Sequence, residues 1–416
     1  MGVRQLFADT RPLANDHFRR LWTANIVTVI GAQLTVVAVP AQIYAITGSS
    51  AYVGLTGLFG LVPLVVFGLW GGALADAVDR RMLMVLSTLG LIGTAALFWA
   101  QAALGLDNVW LVLSLFSLQQ AFFAINQPTR TAILPRLLHR HELAAANSLN
   151  MTVMQFGAIA GPLVGGALIP VMGFSWLYLA DTLFLLATLW AAVRLPALPP
   201  TAGEGRGVPG LRSVVEGFGY LRQQPVLLMS FLVDLVAMVF GMPRALFPQM
   251  AHESFGGPTE GGLAFALLFA AIPAGALLGG IFSGWISRVT HQGRAVVASI
   301  LVWGVAITAF GLFVWQGMLL AALAMLALGG AADMASAALR QTILQEAASD
   351  EVRGRLQGIF IVVVAGGPRL ADTLHGTAAA VVGTVVATAG GGVLVVVGVV
   401  LTTLLFPAFV RYRVAR

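Results

Sequence analysis

The chain of 416 residues contains no cysteine and no lysine, and only 10% of its residues are charged. Without cysteine it can form neither a disulfide nor a thiolate metal site, and it cannot use thiol catalysis. In an ordinary soluble domain roughly a quarter of the residues are charged, so the low fraction of charged residues excludes that class. The spacing of the six histidines does not match a metal-binding motif. These residues are His17, His139, His141, His252, His291 and His375. We therefore predict no metal and no cofactor.

Two groups of chemical motifs are also missing from the sequence. No glycine-rich loop of the type G-x-x-x-x-G-K-S/T is present, so we do not expect the protein to be driven directly by ATP. No arrangement of a nucleophile with a base is recognisable either. We predict that the protein is not an enzyme.

Long apolar runs dominate what is present, with 58% hydrophobic residues and a mean hydropathy of +0.90. Because lipid satisfies no backbone hydrogen bond, apolar runs of about 20 residues are expected to cross a membrane as helices. We predict an all-α membrane protein with twelve transmembrane helices, called spans 1 to 12, at residues 21–46, 52–75, 82–104, 109–134, 146–170, 174–194, 226–251, 262–287, 294–315, 317–341, 357–384 and 388–410. The first run is too long, and too far behind a charged segment, to be a cleavable signal.

The arginines predict the orientation of these spans. All 23 basic residues are arginine, and apart from Arg130, Arg244, Arg340 and Arg369 they lie before span 1, after spans 2, 4 and 6, in the later loops of the same side and at the C-terminal end. The loops of the opposite side contain none, and short arginine-rich loops stay in the cytoplasm. We predict a multi-pass protein of the bacterial cytoplasmic membrane with both termini inside. The net charge of +6 is dispersed over loop ends, so we expect no nucleic-acid partner.

One long hydrophilic stretch, rich in proline and glycine at its start, divides the chain in two. We predict an N-terminal six-helix half at residues 1–195, a cytoplasmic linker at 196–224 and a C-terminal six-helix half at 225–416. Three pairs of segments match between the halves: 130–134 with 340–344, 161–162 with 367–368, and 71–81 with 283–294. These pairs indicate an internal duplication. Two such pseudo-symmetric halves are typical of a transporter.

Residues 71–81, GGALADAVDRR, concentrate charge between spans 2 and 3. Gly72 allows a close helix contact, and Asp76 can meet the positive N-terminus of a neighbouring helix. Arg80 and Arg81 can pair with an acid or with lipid phosphate. The cluster is either a charge lock that closes one side of the transporter or a plain turn at the membrane surface.

This loop resembles the G-x-x-x-D-R-x-G-R-R/K signature of the major facilitator superfamily. The matching residues are Gly72, Asp76, Arg80 and Arg81, whereas Ala77 and Asp79 depart from the pattern. Residues 157–166 resemble the G-x-x-x-G-P-x-x-G-G signature in the fifth helix of the superfamily's antiporters. The resemblance implies a gating role for Gly72, Asp76, Arg80, Arg81, Gly161 and Pro162. It also implies the two-halved major facilitator fold.

Within the superfamily, the chain resembles the enterobactin (siderophore) exporter family. The segments that carry this similarity are residues 39–44, 244–248, 271–275 and 353–355, together with the acid at position 79. The similarity runs from His17 to about Pro407, and many drug-efflux-like proteins share the same features. It implies export of a siderophore-like molecule.

Ionisable residues inside the spans are candidates for transport, because a charge in lipid costs several kcal/mol unless it has a partner or a cavity. We predict proton coupling at Asp234, Asp333, Asp372 and His375. Arg369, Asp372 and His375 are spaced so that neighbouring members can touch on one helix. The alternative is that these acids only form ion pairs, Asp234 and Asp333 with Arg244 or Arg369.

Substrate binding is predicted for two arginines and for polar or aromatic residues of spans 1 and 4. These are Arg244, Arg369, Gln33, Gln42, Tyr44, Gln120, Phe123 and Asn126. For most of the uncharged residues, hydrogen bonding between helices is the alternative. We expect Asp181 to face water, and we expect Arg130 and Arg340 to extend from the bilayer towards its surface.

Taken together, these patterns predict a monomeric secondary transporter that exports a medium-sized organic molecule through the lipid bilayer by alternating access in exchange for protons. Span 4 carries Gln119 and Gln120 where proton-coupled drug antiporters often have an arginine, so coupling must use other residues. Arg244 and Arg369 favour an anionic cargo. The alternatives are a broad drug-efflux antiporter and a receptor or scaffold that no longer transports.

Overall fold

A computed structural model of the protein describes residues 9–199, 219–221, 224–347 and 350–413. Side chains are described throughout these ranges except at 69–73, 75–77, 287, 346–347 and 350–362. All structural statements below concern these residues. The linker prediction at 196–224 therefore lies largely outside the described residues.

The first six spans are built from five continuous helices. Spans 1 to 4 are Asp16–Thr47, Ser50–Ala77, Arg80–Ala103 and Val109–Leu137. Spans 5 and 6 are one helix, Leu143–Val193, that reverses at Gly173. Gly173 has φ 77° and ψ 168°, a conformation that glycine adopts easily because it has no Cβ. The single glycine thus replaces the loop between the two spans.

The last six spans include a broken helix at span 7. This span runs over Pro225–Gly241, continues as a 3-10 turn at Arg244–Leu246 and ends as the short helix Phe247–Glu253. Spans 8 to 12 are Leu263–Ile281, Gln292–Trp315, Leu319–Ala347, Asp350–Val382 and Thr384–Leu405, and a short helix, Pro407–Val410, follows. The predicted all-α fold with twelve spans is confirmed.

The helices form two compact units. The first unit contains the described residues up to Val39 and those from Val62 to the end of span 6, and the second contains Pro40–Leu61 and the helices from span 7 onward. Among the described residues, ten helical segments are long and apolar enough to cross a membrane, with spans 5 and 6 counted as one segment. Large apolar side chains such as Leu320, 81% exposed, cover their outer faces. Such faces are suited to hydrocarbon rather than to water.

Aromatic side chains fill the core of each unit. In the first, Phe98 of span 3 stacks on Tyr178 of span 6 with ring centroids 5.0 Å apart. In the second, Phe247 meets Phe269 and Phe310 edge to face at 5.2 and 6.1 Å. Each such pair contributes about 0.5–1.5 kcal/mol beyond the burial of its surface. These contacts fix the helices that carry the charged residues described next.

Candidate transport site

The acid at position 79 begins span 3. Its Oδ1 accepts hydrogen bonds from the backbone N–H groups of Arg81 and Met82, at 2.8 and 3.3 Å. Its Oδ2 accepts one from the N–H of Leu198, which follows span 6, at 3.0 Å. Asp79 therefore satisfies two of the free N–H groups at the start of a helix and ties that helix to the end of span 6.

The arginines of the same loop bind the same segment. Arg81 donates from its guanidinium to the carbonyl of Val193 at 2.7 Å, where it completes the C-terminus of span 6. The backbone N–H of Arg80 donates to Leu198 at 3.1 Å, and the Arg80 side chain is buried. The charge cluster thus joins spans 2, 3 and 6 of the first unit. Gly72 and Asp76 lie on span 2, but their side chains are outside the described residues.

In the second half, the loop between spans 8 and 9 contacts the segment that follows span 12. Gly293 at the start of span 9 faces the carbonyl of Phe409, which follows span 12. His291 in this loop has its pKa lowered, first by the charge of Arg413 and then by burial and by Arg294. In both halves, the loop after the second helix contacts the chain after the sixth. The repeat supports the internal duplication read from the sequence.

Glycines bring span 5 into direct contact with span 1. A Cβ at Gly157 would collide with Val29, a Cβ at Gly161 would collide with Gln33, and one at Gly165 would lie 2.8 Å from Val37. Because these glycines recur every four residues, they line one face of the helix. Pro162 is buried beside them. The predicted gating residues Gly161 and Pro162 therefore lie at the contact between spans 5 and 1, where glycines leave no room for side chains.

One cluster of the second unit, the acidic cluster, consists of Asp234 and Arg340, which are buried, and Asp333, which is half-buried. Arg340 forms an ion pair with Asp234 of span 7, with side chains 4% and 1% exposed. Its Nε also donates to Ser336 at 3.2 Å. Asp333, seven residues before Arg340 on span 10, lies within electrostatic reach of both partners. With all three groups ionised, the acidic cluster has one negative charge in excess.

The prediction for Arg340 was wrong. The residue was expected to reach the membrane surface, but it is 3% exposed because it turns inward to Asp234. The ion pair expected between Asp234 and either Arg244 or Arg369 is replaced by this one. Asp234 stands out in the sequence because it lies well inside an apolar run, but Arg340 lies at the end of the predicted span 10. Their pairing depends on the packing of span 7 on span 10. Arg130, the other arginine expected to extend towards the surface, donates instead to the carbonyl of Leu21 on span 1 at 3.4 Å.

A second buried cluster, the basic cluster, consists of Arg244, Arg369 and Asp372. Asp372 lies within electrostatic reach of both arginines, and it accepts a hydrogen bond from the backbone N–H of Ala245. Asp372 is 6% exposed, and the two arginines are half-buried. Counted by themselves, these two cations and one carboxylate sum to one positive charge. Arg244 therefore joins the Arg369–Asp372 pair that the sequence placed on one face of span 11.

Span 7 is broken between the two clusters. It carries Asp234 before the break and Arg244 after it, and the helix ends at Gly241. His375 of span 11 bonds through Nε2 to the carbonyl of Phe240 at 3.0 Å, and Trp303 of span 9 donates to Ala237 at 3.1 Å. These side chains satisfy carbonyls in the last turn of the helix, which have few partners of their own. Broken helices with such ends are typical of transporter binding sites.

The uncharged residues predicted to bind substrate have varied surroundings. Asn126 is buried and donates to Ser87 and Thr88 of span 3 at 2.9 and 3.2 Å, so its amide joins two helices. Tyr44 donates to Glu253 at 3.3 Å within the second unit. The remaining predicted residues range from buried to exposed, namely Gln42 and Gln120 (buried), Gln33 (half-buried) and Phe123 (37% exposed).

The expectation that Asp181 faces water was wrong. Asp181 is 1% exposed, and its Oδ2 accepts a hydrogen bond from Thr35 of span 1 at 2.6 Å. The reason is the bend at Gly173, which brings span 6 back against span 1. The acid within an apolar run was visible in the sequence, but its partner was not.

Buried charges of both signs inside a bundle of membrane-spanning helices are the property of a membrane transporter. Solved structures identify the fold. A bacterial homologue of the human lysosomal transporter Spinster superposes with a TM-score of 0.74 over 98% of this chain and 100% of that one, at 16% identity. A POT family transporter in complex with 5-aminolevulinic acid gives 0.74 over 94% and 96%, at 12% identity. These similarities establish the major facilitator fold.

The chain belongs to the transmembrane secretion effector family of that superfamily, whose model matches residues 8–410. Among proteins of known role, it is 30% identical to the enterobactin exporter EntS of Shigella boydii serotype 18, over 89% of this chain and 87% of that protein. The EntS protein of Escherichia coli O1:K1 is 29% identical over the same shares. The chain is therefore a multi-pass membrane transporter, and its relatives are transporters rather than enzymes.

Proposed function

We propose that this transporter exports an anionic siderophore of the enterobactin type from the cytoplasm, in exchange for protons. The observation that carries the proposal is the basic cluster, in a chain similar to enterobactin exporters over 89% of its length. Two arginines beside a single carboxylate favour a further anion inside the membrane. A catecholate or carboxylate of the cargo would supply it.

In this proposal the two clusters divide the work. The basic cluster receives the anionic group of the cargo through Arg244 and Arg369, whose planar guanidinium groups suit bidentate contacts with oxygen anions. The acidic cluster receives the proton, because a proton on Asp333 or Asp234 removes its excess negative charge. Span 7 carries members of both clusters, so a shift of its broken segment connects proton uptake with cargo release.

The first test is export by living cells. An Escherichia coli strain that makes enterobactin, and whose own exporter is deleted, would express this chain under iron limitation. Mass spectrometry would then compare siderophore inside the cells with siderophore in the medium. We expect wild-type protein to lower the intracellular amount. Unchanged retention at normal expression would reject siderophore export, and screening of dyes and antibiotics would then test the drug-efflux alternative.

Arg244→Gln provides the sharper test of the basic cluster. We expect it to weaken binding of enterobactin by about tenfold or more, since a lost charged hydrogen bond is worth about 1.5–3 kcal/mol. Arg288→Gln is the matched control, because Arg288 is exposed after span 8. Isothermal titration of the purified proteins measures both dissociation constants. Equal affinities for the two variants would remove Arg244 from the site.

Both termini are placed in the cytoplasm in this proposal, because every arginine-rich loop lies on their side of the spans. A reporter enzyme fused after residue 413 tests the orientation. Alkaline phosphatase, which is active only outside the cytoplasm, should be inactive there and active when it is inserted after residue 256, between spans 7 and 8. Activity at the C-terminal fusion would invert the assignment.

A further inference from the structure

Asp181 belongs to neither charged cluster, yet it is among the most buried ionisable side chains of the first unit, at 1% exposure. Its Oδ2 accepts a hydrogen bond from Thr35 Oγ1 at 2.6 Å. Its Oδ1 has no hydrogen-bond partner among the described residues. Only one of the two carboxyl oxygens therefore has a hydrogen-bond partner among the described residues, and that partner is a neutral hydroxyl.

Span 1 is shaped to admit this carboxyl. A Cβ on Gly31 would lie 2.6 Å from Oδ1, so the missing side chain leaves the space that Oδ1 occupies. Thr35 follows Gly31 by one helical turn, on the same face of span 1. The glycine and the hydroxyl together make a receptacle for one carboxyl group.

Among the described residues of the first unit, charged groups are remote from this receptacle. Tyr178, one turn earlier on span 6, is buried and stacks on Phe98. Span 5 has no titratable residue. Along spans 1 and 3 the nearest charged residues are in the first turns, about 20 Å away at 1.5 Å per residue, and they are Asp16, His17, Arg19, Arg20, Arg80 and Arg81.

We propose that Asp181 is a proton-binding site of the first unit, with the proton on Oδ1 and Thr35 donating to Oδ2. A carboxylate buried without a cation is far less stable than the neutral acid, so binding of a proton is the simplest way to accommodate it. A metal ion would need several further oxygen ligands. Among the described residues, no group of three or more histidine, aspartate or glutamate side chains could hold such an ion.

Release of the proton would require a rearrangement of span 1. The ionised carboxylate needs water, and water reaches it only when spans 1 and 6 part at Gly31. Another face of span 1 packs against the glycines of span 5. Movement of span 1 away from Asp181 would therefore also change its contact with span 5. This inference adds a site to the proton coupling proposed above, but it does not depend on the identity of the cargo.

Infrared difference spectroscopy tests the site directly. Purified protein in lipid vesicles would be titrated with acid and base, and the carbonyl stretching band of protonated carboxylic acids recorded. We expect Asp181→Asn to remove one titrating band that the control Asp107→Asn, in an exposed loop, retains. Thr35→Val should move that band to higher frequency, because the carbonyl oxygen loses its hydrogen bond, and Thr35→Ser should restore its position.

Two results would overturn the proposal. One is an Asp181→Asn spectrum identical to that of the wild type at every pH. The other is a band that sodium displaces at constant ionic strength, which would assign the site to a metal cation. If Asp181→Asn does not fold, the Thr35→Val shift and its restoration by serine decide alone. Because no cargo is present, failure here is distinct from failure of siderophore export.

Discussion

At the scale of single residues, Arg340 determines the charge balance of the acidic cluster. It pairs directly with Asp234, so Asp333 is the carboxyl left in excess. A buried ion pair adds little net stability by itself, because both groups lose their water. Loss of one partner is different, since it leaves the other charge buried and uncompensated.

We expect Arg340→Gln to destabilise the protein by on the order of 3 kcal/mol, because Asp234 loses its cation. The double variant Arg340→Gln with Asp234→Asn should recover much of that loss, since no charge of the original pair remains. Thermal unfolding of the purified variants in detergent measures both changes. A double variant less stable than Arg340→Gln alone would contradict the pairing.

At the scale of elements, helix ends and helix faces explain where the chain departs from the superfamily's loop signature. Asp79 stands where glycine is usual, and it starts span 3 while it binds the segment after span 6. The acid is therefore a helix cap with a tertiary contact. Asp79 and Arg81 make their hydrogen bonds to residues of the first unit.

Asp79→Ala should lower stability by about 1–2 kcal/mol, the usual effect of a lost N-cap. Asp79→Asn should lower it less, because an amide oxygen can still accept from the N–H groups of Arg81 and Met82. Thermal unfolding in detergent gives both values. If the two variants lose the same stability, the contact with Leu198 outweighs the cap.

The contact between spans 1 and 5 leads to a second prediction at this scale. Gly161→Ala should destabilise the protein, since the new methyl group would collide with Gln33. Gly93→Ala is the matched control within a helix, because nothing lies within 4 Å of its Cβ position. It should be neutral or stabilising by up to about 1 kcal/mol, the difference in helix propensity. Equal behaviour of the two variants would show that spans 1 and 5 separate freely.

At the scale of the whole molecule, proton coupling should respond to the excess carboxyl. We expect export by Asp333→Asn to lose its acceleration by an inwardly directed proton gradient, because the variant cannot take up the proton there. Proteoliposomes with an imposed pH difference measure the rate, and Asp107→Asn serves as the control. An unchanged response to the gradient would transfer coupling to Asp234, Asp372 or Asp181.

Sequence alone determined the class of the protein and the number of its spans. Lipid imposes long apolar helices, and the arginines and glycines that mark their ends can be read in order along the chain. The candidate charges were also visible, since an ionisable residue such as Asp234 or Asp372 stands out inside an apolar run. Each of these properties depends on the composition of a single stretch of about 20 residues, five to six helical turns.

Only the tertiary structure decided which charges meet. Arg340 pairs with Asp234 across 106 residues of chain, and Thr35 meets Asp181 across 146, because helices far apart in sequence pack side by side. Hydropathy locates a helix in the membrane but leaves its rotation about its own axis undetermined. That rotation decides whether Arg340 lies at the surface or is buried. It also decides whether the Asp181 carboxyl faces water or is enclosed at Gly31.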